Sequence, residues 1–240
     1  MYNIAEPKTK KTMARIMIVD DHQVVADSLE THIESKKGHT VVHKAANGRE
    51  AIDYLESIDP SDYPDVILMD LFMEDDENEF QADGFRTARY IFRNIGKKDV
   101  YEIRIIILSS SVDGLNIYTA HNMSIQGYLA KEAGSEEIFE AIDTVMKGEM
   151  YYRGKVYREM SRYIQSKKNL EEEIIPPSPM ELEVLKLTAK GLTAKEVAAT
   201  LSLTVDAAEA HKRQLFRKLN AKNVAEVISI AFRLGYLKIY

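Results

Sequence analysis

Asp20, Asp21, Asp70, Ser109 and Lys131 are the residues whose types could do chemistry together. Three carboxylates suit a hard cation such as Mg²⁺ or Mn²⁺, which takes oxygen ligands and keeps several waters. A carboxylate beside such a cation can accept a phosphoryl group as an aspartyl-phosphate. A lysine ammonium and a serine hydroxyl would then bind the phosphoryl oxygens while the metal offsets their charge. Taken singly, each residue is an ordinary surface acid, hydroxyl cap or solvated lysine. The chemistry depends on whether the fold brings them to one place.

The elements around them predict that it does. "RIMIVDD" sets a short apolar run, Ile16 to Val19, directly before Asp20 and Asp21. "THIESKKGHTVVHKA" ends a helix at Gly38 and opens a second strand near Val41 and Val42. "DVILMD" (65–70), "IRIIILS" (103–109) and the shorter "GYLAK" (127–131) are further apolar runs. Continuously apolar strands belong to a parallel sheet buried on both faces. Between them lie helical stripes: Val25, Leu29 and Ile33; Phe85, Ala88, Phe92 and Ile95; Ile138, Ile142 and Val145. Strand alternating with helix predicts a doubly wound α/β domain that ends near Gly148. The C-terminal ends of parallel strands share one edge, where ligands bind. Each of the five residues stands at or just after such an end.

Asp70 is also the first acid of the stretch "LMDLFMEDDENEFQADG" (68–84), which carries seven acids in seventeen residues. Its Asp75-Asp76-Glu77 run lacks the alternating ligands and central glycine of an EF-hand loop. The acidic part, 74–83, could hold a second cation, repel anionic partners or be a solvated loop, and the solvated loop is the leading reading.

Bulk composition narrows the function classes. Cysteine is absent, which excludes disulfides and thiolate metal sites and fits a reducing, cytoplasmic compartment. The N-terminus has no secretory apolar segment, and no run approaches a membrane span. The net charge of −6 is unevenly spread: residues 176–240 hold ten Lys/Arg and six Asp/Glu, and the remainder is strongly acidic. The basic tail suits phosphates and the acidic part does not.

The motifs "IVDDH", "ILMDLFM", "ILSSS" and "GYLAK" resemble those of the receiver domain of two-component response regulators, in order, over about residues 14–148. The resemblance implies a flavodoxin-like five-stranded sheet, with residues 1–13 as a flexible extension. It implies that Asp70 takes a phosphoryl group from the phosphohistidine of a sensor histidine kinase. Asp20, Asp21, Asp70 and the Phe72 backbone carbonyl would hold Mg²⁺ or Mn²⁺. Ser109 would move toward the phosphoryl group, Lys131 would bind it, and Tyr128 would turn with Ser109. Phe72 and Ser111 stand where this family tunes attack by water, and a bulky Phe72 implies a long-lived phospho-form. Two departures stand out: Glu74 replaces the family's usual proline, and "EDDENEFQA" lengthens the path to Gly84.

Residues 149–175 read as a linker. Tyr157, Met160, Tyr163 and Ile164 suggest a helix with one apolar side, "SKKNLEEE" a mobile charged segment, and Pro176, Pro177 and Pro179 a boundary. Three capping boxes follow, Ser178 with Glu181, Thr193 with Glu196 and Asn223 with Glu226, and Gly191 suits a left-handed helix end. A further helix should run from Thr204 to about Leu219, with Ala208, Leu215 and Leu219 on one face. The second domain, 176–240, is therefore all-α with four short helices and a helix-turn-helix candidate. "EVLKLTAKGLTAKEVAATL", His211 and "RKLNAKN" resemble the LuxR-type output domain of the NarL/FixJ group. That resemblance places the third helix in the DNA major groove. Glu209, Ala210 and Arg213 then fall near base edges, Lys212, Arg217 and Lys218 near phosphates, and His211 joins them as a DNA-binding residue. Glu209 departs from the family's lysine and either retunes base preference or weakens binding.

The leading reading is a phosphorylation-controlled DNA-binding regulator that reads double-stranded DNA as a homodimer, with no membrane partner and no enzymatic turnover. The alternative is a receiver-bearing interaction protein whose output domain binds DNA weakly or non-specifically. A phosphatase would need a second acid two residues after Asp70, where Phe72 stands.

Overall fold

The structure, a computed structural model, describes residues 13–35, 38–73, 83–95 and 102–237, without the side chains of 83 and 171–173. The N-terminal extension before Met13 and the acidic insertion over 74–82 lie outside the described residues. The chain divides into two units, residues 1–161 and 162–240.

The first unit alternates as its pattern predicts: β1 (Ala14–Val19), α1 (Gln23–Ser35), β2 (His39–Ala45), α2 (Gly48–Ser57), β3 (Val66–Asp70), α3 (Asp83–Tyr90), β4 (Arg104–Ser109), α4 (Gly114–Asn122), β5 (Gly127–Ala130) and α5 (Ser135–Met146). A π-helical turn, Ile91–Ile95, follows α3. Among the described residues the strands form one five-stranded sheet in the order β2-β1-β3-β4-β5, with every pairing parallel. Strand side chains alternate between two cores. Met17, Val19, Ile67, Met69, Ile105 and Ile107 join residues of α2, α3 and α4 on one face. Ile16, Ile18, Val66, Leu68, Ile106 and Leu108 join α1 and α5 on the other. Burial on both faces is why these strands read as unbroken apolar runs.

Gly84 fixes where α3 meets the sheet. A Cβ there would lie 2.4 Å from the Asp70 carbonyl oxygen and 3.0 Å from the Leu71 Cα, both backbone atoms. The Gly84 N–H donates to the Leu71 carbonyl at 3.2 Å. The helix therefore sits against the chain directly behind Asp70, at a separation that no side chain permits.

The linker holds the helix its sequence suggests, but that helix is longer than expected. A single helix, α6 (Gly154–Glu173), takes in the whole of the segment expected to be mobile. Its inward residues in the first unit are Val156 and Met160, while Tyr157 and Ile164 are exposed. The spacing of apolar residues allowed either face, and packing against the α4-side core selected the Val156 face. Ahead of α6, Tyr151 pairs beside β5: its N–H donates to Gln126 O at 2.7 Å, and its carbonyl accepts from Tyr128 N at 3.0 Å.

Among the described residues the second unit holds four further helices, α7 (Pro179–Ala189), α8 (Ala194–Thr200), α9 (Val205–Lys218) and α10 (Val224–Arg233). Ser178 and Thr193 form reciprocal capping boxes with Glu181 and Glu196. Asn223 does not. Its side chain accepts from Glu226 N, but Glu226 turns back to the Lys222 N–H at 2.7 Å. The Ser and Thr caps have φ near −70°, whereas Asn223 has φ −151°. That rotation carries the cap's own N–H away from the acid. Asn47, at φ −158°, behaves alike, and its Glu50 accepts from Ala46 N. Gly191 takes φ +83°, as its place after α7 predicts. Ala208, Leu215 and Leu219 are buried with α7, α8 and α10 residues in one core.

Two predictions follow from these contacts. Gly84→Ala should cost about 2 kcal/mol through overpacking against rigid backbone. Thermal denaturation should show a fall of roughly 4–8 °C in the first unit's midpoint, and an unchanged midpoint would contradict the close approach. The second concerns His43, whose ring stacks on Tyr54 at 3.7 Å and whose Nε2 is buried with no hydrogen-bond partner among the described residues. Burial pushes its pKa below 6.5, against a smaller opposing pull from Glu50. The unfolded chain therefore binds the proton more readily, so the stabilisation is complete above pH 6.5 and is lost as pH falls below it. Denaturant titrations from pH 7.5 to 5.5 should show the wild type losing stability relative to His43→Phe, which keeps the stack without the titration. Parallel pH profiles would contradict this.

Candidate functional site

The parallel order of β1, β3, β4 and β5 brings four strand ends to one edge. Asp20 follows β1 and Asp70 ends β3, and both are buried. The Lys131 ammonium, just past β5, lies 2.8 Å from Asp20 Oδ2 and donates to Asp70 Oδ2 at 2.6 Å. Its backbone N–H donates to the Ser109 carbonyl at 2.9 Å, so β4 helps set where Lys131 starts. Asp20 is further held by the His22 N–H on Oδ1 at 2.9 Å, and Asp70 by the Phe72 N–H on Oδ1 at 3.2 Å.

Electrostatics follow from burial around this lysine. Burial pushes the Asp70 carboxyl above its ordinary value, Lys131 and the Phe72 N–H oppose that, and Asp20 adds to it. Burial also disfavours the Lys131 ammonium, but hydrogen bonds to Asp20 and Asp70 outweigh it and hold its pKa up. One oxygen each of Asp20, Asp21 and Asp70, together with a ring nitrogen of His22, lie within 4.8 Å of one another. Three carboxylates against one ammonium leave negative charge unbalanced. An oxygen-rich, net-negative cluster of this kind fits a hard divalent cation.

His22 did not stand out in the sequence as a chemical residue. It is the third member of "DDH", and its backbone carbonyl accepts the first helical N–H groups of α1, from Val25 and Ala26. Its ring Nδ1 lies 2.7 Å from Asp21 Oδ1. The neighbouring string was a signal, but the direction of the ring depends on the turn.

The other residues at the edge form a second chain of contacts. Ser109 is fully buried, and its hydroxyl accepts from Ser111 N at 3.1 Å. Tyr128 is fully buried, and its hydroxyl donates to the Ser111 carbonyl at 2.8 Å. Burial pushes the Tyr128 phenol up to about 12, with a smaller opposing effect from the Ser109 hydroxyl. Ser111 therefore joins the arrangement through its backbone. Phe72 is about half exposed beside Asp70. A contact that the sequence reading missed is Tyr152, whose hydroxyl donates to Ile125 O at 2.7 Å and whose ring meets His121 of α4 edge-on at 5.4 Å. Tertiary pairing beside β5 creates it, so no local motif could have marked it.

In the second unit the residues singled out on α9 separate by environment. Arg213 and Arg217 are exposed, and Glu209, Ala210, His211 and Lys212 are half-buried. Arg217 donates to Gln214 at 2.6 Å. Lys218 is engaged within the unit: its ammonium lies 2.7 Å from Oε2 of Glu181, the buried acid of the α7 capping box. Burial opposes ionisation of Glu181, but Lys218 and Ser178 outweigh it and hold the carboxyl below its ordinary value. Residues 16–143 match the response regulator receiver domain family, and 178–231 match the luxR family of bacterial regulatory proteins. The chain is 26% identical over 219 residues to the response regulator protein VraR of Staphylococcus aureus (strain Mu3 / ATCC 700698), over 91% of this chain and 96% of VraR. Its fold is similar to that of RcsB from Salmonella enterica serovar Typhimurium bound to promoter P1flhDC with the phosphomimetic BeF₃⁻. The TM-score is 0.60 at 22% identity, over 92% of this chain and 98% of that one. A LuxR-family two-component response regulator from Aurantimonas sp. SI85-9A1 is similar with TM-score 0.54 and 25% identity, over 64% of this chain and 99% of that one. The paired strand ends, the order of the two units and these matches agree: the chain belongs to the two-component response regulators, with a receiver domain followed by a LuxR-type DNA-binding output domain.

Proposed function

We propose that Asp70 accepts a phosphoryl group from the phosphohistidine of a sensor histidine kinase and that the resulting change of state controls DNA binding by the output domain. The observation that carries this reading is the Lys131 ammonium bridging Asp20 and Asp70 at the sheet edge. An Asp70 carboxylate oxygen attacks phosphorus, the P–N bond breaks, and the kinase imidazole leaves with the bond's electron pair. A bound Mg²⁺ or Mn²⁺ would supply charge neutralisation for the phosphoryl oxygens. Asp20, Asp21, Asp70 and the Phe72 carbonyl are the groups that would hold it. Lys131 moves from pairing with Asp70 to pairing with the new phosphoryl oxygens, while Asp20 keeps it in place. Phe72, half exposed beside Asp70, limits the approach of water and lengthens the life of the phospho-form.

The Ser109 hydroxyl is the second group that the phosphoryl oxygens would recruit, and Tyr128 follows because the two share Ser111. Tyr128 is tied through its N–H to Tyr151, immediately before α6. Hydrogen bonds through Ser111 and Tyr128 therefore join Ser109 to Tyr151, ahead of the linker helix. The modification adds negative charge where two buried acids already stand, which is what biases a two-state rearrangement. No helix among the described residues is long and apolar enough to cross a membrane, and a cytoplasmic, DNA-accessible protein that dimerises when phosphorylated fits the whole reading.

At the output domain, Arg213 and Arg217 are the exposed cations of α9 and serve as DNA contacts, with Lys212, His211, Ala210 and Glu209 along the same helix. Lys218 stands apart, because moving it onto a phosphate would leave Glu181 buried and unpaired.

With a small phosphodonor and Mg²⁺, affinity for a cognate DNA site should rise about tenfold, the usual scale of coupling between two sites. Asp70→Ala should show no such gain in a gel-shift or anisotropy assay, and equal binding with and without donor would remove the switch. The output domain offers an independent test. Arg213→Ala should weaken DNA binding and flatten its salt dependence by about one unit of slope while leaving the melting curve unchanged. Lys218→Ala should destabilise the second unit by on the order of 2 kcal/mol. The reverse assignment, with Lys218→Ala affecting only DNA, would contradict the Glu181 pairing.

A further inference from the structure

We propose that His22 is a ligand of the divalent cation at the phosphorylation site and shifts its preference from Mg²⁺ toward first-row transition ions, of which Mn²⁺ is the hardest. The inference rests on the reading that Asp20, Asp21 and Asp70 hold that cation. It is carried by where the imidazole stands. The His22 Nδ1 lies 2.7 Å from Asp21 Oδ1 and 3.5 Å from Asp20 Oδ1. In an octahedral sphere with ligands about 2.1 Å from the metal, adjacent ligand atoms are roughly 3.0 Å apart and opposite ones roughly 4.2 Å apart. Both His22 distances bracket the adjacent spacing. One ligand atom from each of the four residues falls within 4.8 Å of the others, so the widest separation exceeds the opposite spacing by at most about 0.6 Å.

The backbone supports this placement. The His22 carbonyl accepts from Val25 N and Ala26 N at the start of α1, at 2.9 and 3.1 Å. Its own N–H donates to Asp20 Oδ1. With both backbone groups held, the ring has two torsions left, and the observed pair already aims Nδ1 among the carboxylates. The ring is otherwise open to solvent, so no packed neighbour must move when a cation replaces the Asp21 hydrogen bond.

Ligand chemistry then sets the preference. Carboxylates, a carbonyl and waters suit Mg²⁺, which gains little from nitrogen. Imidazole suits ions of the first transition row, least so Mn²⁺, which still takes a nitrogen ligand more readily than Mg²⁺ does. A site of two or three carboxylates and one imidazole therefore discriminates in their favour, whereas the same site without the imidazole is a hard-cation site. The phosphoryl step itself is unchanged by this assignment, because Asp70 and Lys131 remain the groups that meet phosphorus.

The test uses the full chain and Mn²⁺ as the probe, read without any phosphodonor. Pulsed EPR of the Mn²⁺ complex should show hyperfine coupling to a nitrogen in the wild type and none in His22→Gln. Free-Mn²⁺ titration should show affinity falling about tenfold in His22→Gln, with Mg²⁺ affinity, measured by competition in the same variant, changed less than about twofold. Bound Mn²⁺ with no nitrogen coupling in the wild type, or coupling that persists in His22→Gln, would overturn the assignment and leave the carboxylate site standing. Asp20→Asn separates the two failures: if Mn²⁺ binding is indifferent to that change, the carboxylate reading is wrong and the role of His22 falls with it.

Discussion

Two buried carboxylates brought together at a sheet edge repel each other, and each loses hydration that nothing apolar can replace. The Lys131 ammonium between Asp20 and Asp70 is the interaction that makes this arrangement possible. It exists because β5 lies two strands from β3, so that a lysine just past β5 can reach over the β4 end to both acids. Remove the lysine and the edge carries uncompensated charge; add a phosphoryl group and the lysine has a new and stronger partner. The rest of the receiver serves to hold these ends in register. Its strands are buried on both faces, and α3 is pressed against the backbone behind Asp70 at Gly84.

The same logic of a buried acid held by one lysine recurs in the output domain, with a different purpose. Glu181 caps α7 and pairs with Lys218 at the end of α9, which ties two ends of the helical core together. In the receiver the pairing is strained by a neighbouring acid and open to exchange with an incoming anion. In the output domain it is supported by Ser178, and its neighbours favour the charged acid. One pair is built to change partners and the other to stay.

Much of this was legible in the sequence, for identifiable reasons. Strands buried on both faces have no alternation to misread, so Ile16–Val19, "DVILMD" and "IRIIILS" marked themselves. Once the order of elements was known, the strand ends located Asp20, Asp70 and Lys131. Other features depended on information that no local pattern contains. Apolar residues lie on more than one side of α6, and packing chose Val156 and Met160 over Tyr157 and Ile164. Asn223 has a capping-box sequence, but its extended φ sends Glu226 to a different N–H. Lys218 carries the same charge as its neighbours on α9, and the acid that claims it is thirty-seven residues away. His22 and Tyr152 took their places from a turn and from edge pairing. The acidic run over 74–83 that distinguishes this chain lies outside the described residues but for the backbone of Asp83.

The central claim is that the Lys131-bridged edge is a phosphoryl acceptor with its chemistry at one carboxylate. Intact-protein mass spectrometry after exposure to a small phosphodonor and Mg²⁺ tests it most directly, with the acyl-phosphate site mapped by borohydride reduction. The account predicts a single added phosphoryl group, mapped to Asp70 and absent from Asp70→Asn. A wild type that gains none, or a group that maps to another residue and survives Asp70→Asn, would contradict it.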